Sequence, residues 1–340
     1  MPYERVEGKG GRRGSVASPT RSPLRGKLLP VSDLSYAQAI TIGLIQGVTE
    51  LFPVSSLGHS ILVPAWIGGG WEHLVTEQST KASEKSPYLA FIVATHCATA
   101  IALVIFYLKA WLRIVGGLLR SIRDRAIETP TQKLAWLIVV ATIPVGILGI
   151  SLEHSLRVLF AKPLAAATFL TVNGLVLLVA EQLIRRRREG GAPKAVAAVT
   201  AASGSELVAE AEDLVVARVG WRDAIVVGLA QSTALLAGIS RSGVTMVAGL
   251  VRGLDHESAA NFAFLLATPV ILAAGVLKLP DLAKPAAAGI RGPTIAGAVV
   301  AGIAAYAAVR FLTRYFEGRS LRPFGVYCLL FGVASIARFA

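Results

Sequence analysis

The sequence predicts an all-α polytopic membrane protein with an inverted-topology repeat. Each half is a broken, re-entrant helical hairpin followed by three transmembrane helices. Three observations carry this. First, the 340 residues are 54% apolar and only 16% charged, with a mean hydropathy of +0.61. Several apolar runs reach the roughly 20 residues that a bilayer crossing requires. Second, residues 43–60 are repeated by 228–245 at a constant offset of 185, with Gly43, Leu44, Gln46, Leu51, Ser55 and Gly58 meeting Gly228, Leu229, Gln231, Leu236, Ser240 and Gly243. A shorter echo follows each copy, Phe91-Ile-Val-Ala-Thr95 against Phe264-Leu-Leu-Ala-Thr268. Third, both copies interrupt their helix, at Pro53 and at Ala237-Gly238. Interrupted helices at matching places in two halves mark a binding site near mid-membrane.

Taken in order, residues 1–33 read as a disordered basic tail, rich in Gly, Ser, Pro and Arg; its basic part is too long for a secretory signal, and no cleavage-type small-residue site follows a short apolar core. The first membrane repeat covers 34–184. It opens with a helix over 36–52, capped by Asp33 or Ser35, and a second from about Ser56 to Ile67. Crossings follow at 88–108, 134–151 and 164–184. A flexible linker covers 185–221. The second repeat, 222–340, opens with a helix from Asp223 to about Leu236 and another from near Ser240 to Arg252, then crosses at 259–279, 292–312 and 323–339. A hairpin returns to the side it enters from and three crossings are odd, so the second half is inverted relative to the first. Eighteen Lys and Arg fall in 109–133, 185–222 and 310–322 and at 252, against eight on the other side once the tail is set apart. The positive-inside rule places the eighteen in the cytoplasm and both termini outside.

The composition also excludes. A net charge of +13 in a soluble chain points to nucleic acid, but here the cations lie between apolar runs, where cytoplasmic loops account for them. Cys97 and Cys328 lie within apolar runs and offer neither a disulfide framework nor metal spacing.

The polar residues of the two broken hairpins are the candidates for chemistry. Gln46 and Glu50 stand four apart and share a helix face. A carboxylate at membrane depth costs at least about 2.5 kcal/mol and calls for a function or a partner. Pairing between helices is the structural alternative for both residues. Ser55, Ser56, Gly58 and His59 surround a helix start, whose free N–H groups and dipole suit an anion. Ser56 and His59, three apart, suit a hydroxyl activated by an imidazole; a capping serine and a core histidine are the plainer reading. Arg241 lies at the matching turn between Ser240 and Ser242, with Gly243 and Thr245 beyond. Its planar, permanently charged fork suits a phosphate, and a salt bridge to Glu50 is the alternative. Together with Gln231 these residues point to a phosphate-bearing lipid as substrate.

Gln46-Gly-Val-Thr-Glu50 leading into Pro53-Val-Ser-Ser-Leu-Gly-His59, with Gly238-Ile-Ser-Arg-Ser-Gly-Val-Thr245 after it, resembles the undecaprenyl-diphosphatase family of the bacitracin-resistance type over roughly residues 34–340. The resemblance implies a bacterial plasma-membrane enzyme that hydrolyses undecaprenyl diphosphate to the monophosphate and inorganic phosphate. Its site would face outward, use a divalent cation (Mg²⁺ or Ca²⁺) and recycle the carrier of cell-wall polymers. It implies Glu50 as acid/base and metal-side carboxylate, Ser56 with His59 as nucleophile and partner, and Arg241 as the pyrophosphate clamp. Ser240, Ser242 and Thr245 would be phosphate ligands. The partners implied are the polyprenyl diphosphate and the membrane, not nucleic acid, and a homodimer is left open. Gln46 replaces a frequent glutamate, Leu57 a small polar residue and Ala237 a proline. The rival class is a lipid-phosphate transporter using the same anion site.

Overall fold

The structure, a computed structural model, describes residues 34–71, 87–160, 162–189, 219–283 and 285–340, which lie in the compact unit Ser32–Ala340. The expected tail and most of the expected linker fall outside the described residues. Among the described residues there are eleven α-helices and no strand. Five of the helices are long and apolar enough to cross a membrane.

α1 spans Tyr36–Thr49 and starts on a reciprocal cap: the Ser35 hydroxyl oxygen accepts the Gln38 N–H, and the Gln38 side chain accepts the Ser35 N–H. A turn over 50–54 leads to α2, Ser56–Ile67. α3 (Pro87–Phe106), α5 (Pro130–Phe160) and α6 (Pro163–Glu189) supply the long apolar stretches of the first half. In the second half α7 (Trp221–Ser232) ends in a single 3₁₀ turn, Thr233–Leu235, and α8 covers Arg241–Val251. α9 (His256–Lys278) and α10 (Arg291–Phe316) are long and apolar, joined by 3₁₀ turns over Leu279–Ala283 and Pro285–Ile290. α11, Arg322–Phe339, fills the stretch expected as a last crossing but is not one of the five helices that meet the length and hydropathy of a span.

The stretch 109–133, expected as a loop, holds a helix, α4, Leu108–Asp124. Its charges disguise a regular pattern. Leu108, Leu112, Val115 and Leu119 form an exposed apolar stripe at three- and four-residue spacing, while Ile114 and Ser121 are buried on another side. The Ser121 hydroxyl accepts the Trp136 indole N–H at 3.0 Å and donates to the Ala126 carbonyl at 2.7 Å, which folds α4 back onto α5. α6 also runs through the Arg185–Arg188 basic run, where the expected linker would begin.

Glycines fix how the helices meet. A methyl group on Gly43 of α1 would lie 2.2 Å from the Gly297 carbonyl oxygen of α10, and one on Gly228 of α7 would lie 2.5 Å from the Ala141 carbonyl oxygen of α5. Both pairs therefore pack backbone to backbone, as small residues allow in membranes. α3 packs on α9, and α6 on α11 through Gly174, Gly325 and Gly332. At one end of this bundle the Glu181 carboxylate accepts from the His256 ring at 2.9 Å and from the Leu321 N–H at 3.3 Å, clipping α6 to the first turns of α9 and α11.

Candidate active site

The two interrupted turns meet. Ser55 sits at φ 68°, an unusual backbone for a residue with a Cβ. Its hydroxyl oxygen accepts the Gly58 N–H at 3.2 Å, capping α2, and the Gly238 N–H at 3.1 Å from the other turn. Ser240 caps α8 in the same way, through the Gly243 N–H at 3.1 Å. The matching glycines make room for the crossing: a methyl on Gly58 would touch Gly238, and one on Gly243 would touch Pro53. Asn173, fully buried on α6, donates to the Pro53 carbonyl at 3.1 Å and accepts the Ser240 N–H at 3.0 Å. One side chain thus holds both turns, and the Ser242 hydroxyl adds a bond to the Phe52 carbonyl at 3.3 Å.

Glu50, buried at the end of α1, is where the charges converge. Its Oε2 accepts the Gln46 amide at 2.9 Å and the Ser56 hydroxyl, and its Oε1 accepts a guanidinium N–H of Arg241. His96 of α3 brings Nε2 to 3.3 Å from Oε2. A cation and an acid from opposite halves therefore face each other. Removing one partner from such a pair costs about 3–5 kcal/mol because the other charge is left buried alone.

These groups open onto a cavity of about 280 Å³. Glu50, Ser56, His96, Ser240 and Arg241 line one part of it. Ile61, Leu89, Val93, Val145 and Val270 give the rest an apolar wall. Gln231 also lines it, fully buried, with neither amide atom bonded to any described residue, and the Ser60 hydroxyl is likewise without a partner there. Buried polar groups of this kind are normally satisfied, so the cavity offers them a ligand or water.

Of the residues singled out in the sequence, Glu50, Ser55, Ser56, Gln231, Ser240 and Arg241 are gathered at this cavity, and Gln46 backs Glu50. Gly58 and Gly243 stand at the crossing of the turns. Ser242 and Thr245 are buried beside it, outside the lining, and the Thr245 hydroxyl has no partner among the described residues. The expected Ser56–His59 pair is not formed. The Ser56 hydroxyl is drawn to Glu50, while the His59 ring bonds the Ser55 carbonyl and the Tyr327 hydroxyl, each at 2.7 Å. A carbonyl only accepts, so Nδ1 of His59 carries the hydrogen and Nε2 accepts from Tyr327. Three residues that sequence reasoning missed matter here: His96, Asn173 and Tyr327. His96 directly follows the Phe91–Thr95 echo, where the second copy has Pro269, and a lone imidazole in an apolar run was the available signal.

Among the described residues no group of three or more His, Cys, Asp or Glu is placed to hold an ion. Both oxygens of Glu50 are already taken by hydrogen-bond donors.

Fold and site together define a helical membrane protein with an ion-paired cavity at the junction of two interrupted helical hairpins. A family model described as bacitracin resistance protein BacA matches residues 39–334. The chain is 55% identical over 339 residues to undecaprenyl-diphosphatase 2 of Frankia alni, covering 91% of this chain and 99% of that one. It is 51% identical to undecaprenyl-diphosphatase of Mycolicibacterium paratuberculosis (89% and 97% covered) and 41% identical to undecaprenyl-diphosphatase 2 of Chromobacterium violaceum (89% and 98% covered). The chain belongs to the bacitracin resistance protein BacA family.

Proposed function

We propose that this protein hydrolyses undecaprenyl diphosphate to undecaprenyl phosphate and inorganic phosphate in the bacterial plasma membrane, recycling the lipid carrier for cell-wall polymers. Its relatives carry the name of that activity. The observation that carries the reading is the Ser56 hydroxyl bonded to a Glu50 carboxylate whose other oxygen holds Arg241, all at one cavity with an apolar wall.

The chemistry follows from the parts. The pyrophosphate competes with Glu50 for the Arg241 guanidinium, and the starts of α2 and α8 add backbone N–H groups to its oxygens. Ser56 Oγ attacks the terminal phosphorus and its proton passes to Glu50 Oε2. The P–O–P bond breaks, the lipid monophosphate leaves, and water hydrolyses the phosphoserine to inorganic phosphate. His59 acts by holding the strained Ser55 turn through its bond to the Ser55 carbonyl, so that Ser56 faces Glu50. The polyprenyl chain lies along the wall formed by Leu89, Val93, Val145 and Val270. The divalent cation implied by the resemblance would, in this reading, arrive with the phosphates of the substrate and supply charge neutralisation there. Every residue the reading uses comes from one copy of the chain.

Inverted repetition of the halves is part of the same reading. α1 of the first hairpin packs on α10 through Gly43, and α7 of the second packs on α5 through the matching Gly228. α3 with α9 and α6 with α11 pair equivalent helices. That reciprocal pattern is what a two-fold axis in the membrane plane produces. In this reading the cavity opens outward: it reaches Leu89 at the start of α3 and Ala274 near the end of α9, and the positive-inside rule favours the outer side for those ends.

Phosphate release from a long-chain polyprenyl diphosphate by purified protein tests the assignment. Arg241→Ala and Ser56→Ala are expected to abolish release while the protein stays in the membrane. In proteoliposomes, transbilayer movement of the lipid without phosphate release would overturn hydrolysis in favour of transport.

A further inference from the structure

We infer that α4, Leu108–Asp124, lies in the plane of the membrane surface and binds anionic phospholipid headgroups along its basic face. The inference is independent of the hydrolase reading, and none of its residues lines the cavity.

The path of the chain sets the attitude of the helix. The span in α3 ends at Phe106, and the next span begins at Pro130. α4 fills the interval and is not one of the five helices with the length and hydropathy to cross. It meets the first two turns of α5. A methyl on Gly117 would lie 3.4 Å from the Thr131 side chain, and the Ser121 hydroxyl accepts the Trp136 indole N–H at 3.0 Å. In a hairpin, the partner of Gly117 would stand further along α5 than the partner of Ser121. It stands nearer the start. α4 therefore crosses the end of α5 instead of running down beside it.

At 3.6 residues per turn the side chains of α4 sort into three adjoining arcs. Ile114, Leu118 and Ser121 face the bundle, Ile114 and Ser121 being buried and Leu118 packed on the core. Next comes the stripe Leu108, Leu112, Val115, Leu119 and Ile122, whose members are 47% to 67% exposed. Beyond the stripe, on the flank away from the bundle, stand Lys109, Arg113, Arg120 and Arg123, and all but Arg113 are fully on the surface. The one acid of the helix, Asp124, pairs with Arg123 at 2.7 Å. Four cations against one acid leave the helix a net charge of +3.

This order suits a helix floating at the rim of the bundle: protein on one side, acyl chains beneath, lipid phosphates along the outer flank. The stripe follows directly on Ile101 and Ile105, which α3 exposes at 53% and 59%, so the lipid that surrounds the span continues under α4. Charge selects the occupant. A second copy seated here about a two-fold axis would set its own cations against these, whereas anionic headgroups bring the opposite sign. Each cation held at such a surface favours anionic lipid by about five-fold, and salt screens the attraction.

The test uses the full-length protein in phosphatidylcholine proteoliposomes, with spin-labelled phosphatidylglycerol or phosphatidylcholine as the probe. Wild type is expected to retain labelled phosphatidylglycerol at least about three-fold over labelled phosphatidylcholine, and about 1 M NaCl to remove most of that preference. Lys109→Gln, Arg120→Gln and Arg123→Gln combined are expected to cut the preference to less than about half. Phosphate release by this variant in phosphatidylcholine is expected to match wild type, which shows that it folds. Depth is measured separately with nitroxides on Leu108→Cys, Val115→Cys and Ile122→Cys, the native Cys97 and Cys328 being buried. All three labels are expected at one level, about 5–10 Å into the headgroup and acyl boundary. A helix inclined across the bilayer would instead spread them over as much as about 21 Å. Equal retention of the two lipids by wild type, an unchanged preference in the triple variant, or graded depths would each overturn the inference. So would labels shielded from lipid, the sign that a second copy or another protein covers the stripe. If wild type shows the lipid preference and releases no phosphate, the hydrolase reading alone falls.

Discussion

The Ser55 hydroxyl oxygen accepts the Gly238 N–H at 3.1 Å, so the turn of one hairpin is capped partly by the turn of the other. The same oxygen also caps α2 through Gly58. Ser55→Ala leaves two buried N–H groups without that partner and is expected to cost about 1–3 kcal/mol. Gly238→Ala is expected to be worse, because Gly238 sits at φ 110° and the added methyl would lie 2.4 Å from the Ala166 carbonyl oxygen. Thermal unfolding in detergent checks both; a Gly238→Ala protein as stable as wild type would contradict the packing described.

Asn173 joins Pro53 and Ser240 with two bonds from one amide. Asn173→Leu keeps the apolar character of α6 but strands a buried carbonyl and a buried N–H. Turnover is expected to fall about ten-fold or more through displaced catalytic groups, while the protein remains in the membrane. Asn173→Asp retains the acceptor for Ser240 alone and is expected to fall between the two. Phosphate release at saturating substrate measures this.

Glu50 and Arg241 are coupled charges, so their substitutions should not add. Arg241→Ala leaves a buried carboxylate unpaired, at a cost of about 3–5 kcal/mol to stability, and Glu50→Gln leaves the partly buried guanidinium unpaired at a smaller cost. The double variant is expected to be more stable than the sum of the two predicts, although inactive. Strict additivity in thermal unfolding would show that the pair is not formed in solution.

Tyr327 donates to His59, and the two rings stack at 5.6 Å between centroids. If His59 acts by holding the Ser55 turn, Tyr327→Phe should be mild, within about ten-fold of wild type. It removes one hydrogen bond, worth roughly 0.5–1.5 kcal/mol, and leaves the Ser55 bond in place. His59→Ala should cost far more. Equal losses in the two variants would place the chemistry at the His59–Tyr327 bond instead.

Much of the fold was legible because it is written locally. The caps Ser35, Ser55 and Ser240 and the span of α2 follow from capping serines, glycines and the proline at 53. The duplication itself showed that the two turns belong together. What was not legible depends on partners distant in the chain. Asn173 and His96 are single polar residues in apolar runs, and their meaning comes from Ser240, Pro53 and Glu50, which only the folded chain brings near. α4 was hidden because its basic residues resemble a loop, while its apolar stripe has no neighbour in the sequence to declare it. The Ser56–His59 spacing is right for one helix face, yet Glu50 at the end of α1 draws the hydroxyl one way and Tyr327 of α11 draws the ring another.

Each hairpin leans on a helix from the half it does not belong to, Gly43 on α10 and Gly228 on α5. A bulky residue at Gly43 therefore unseats the Glu50 side of the cavity by a fault in its contact with the C-terminal half. A second-site change that repairs it belongs near Gly297, about 250 residues downstream. Suppressor genetics on this protein should map across the duplication, with defects in either half answered by revertants in the other.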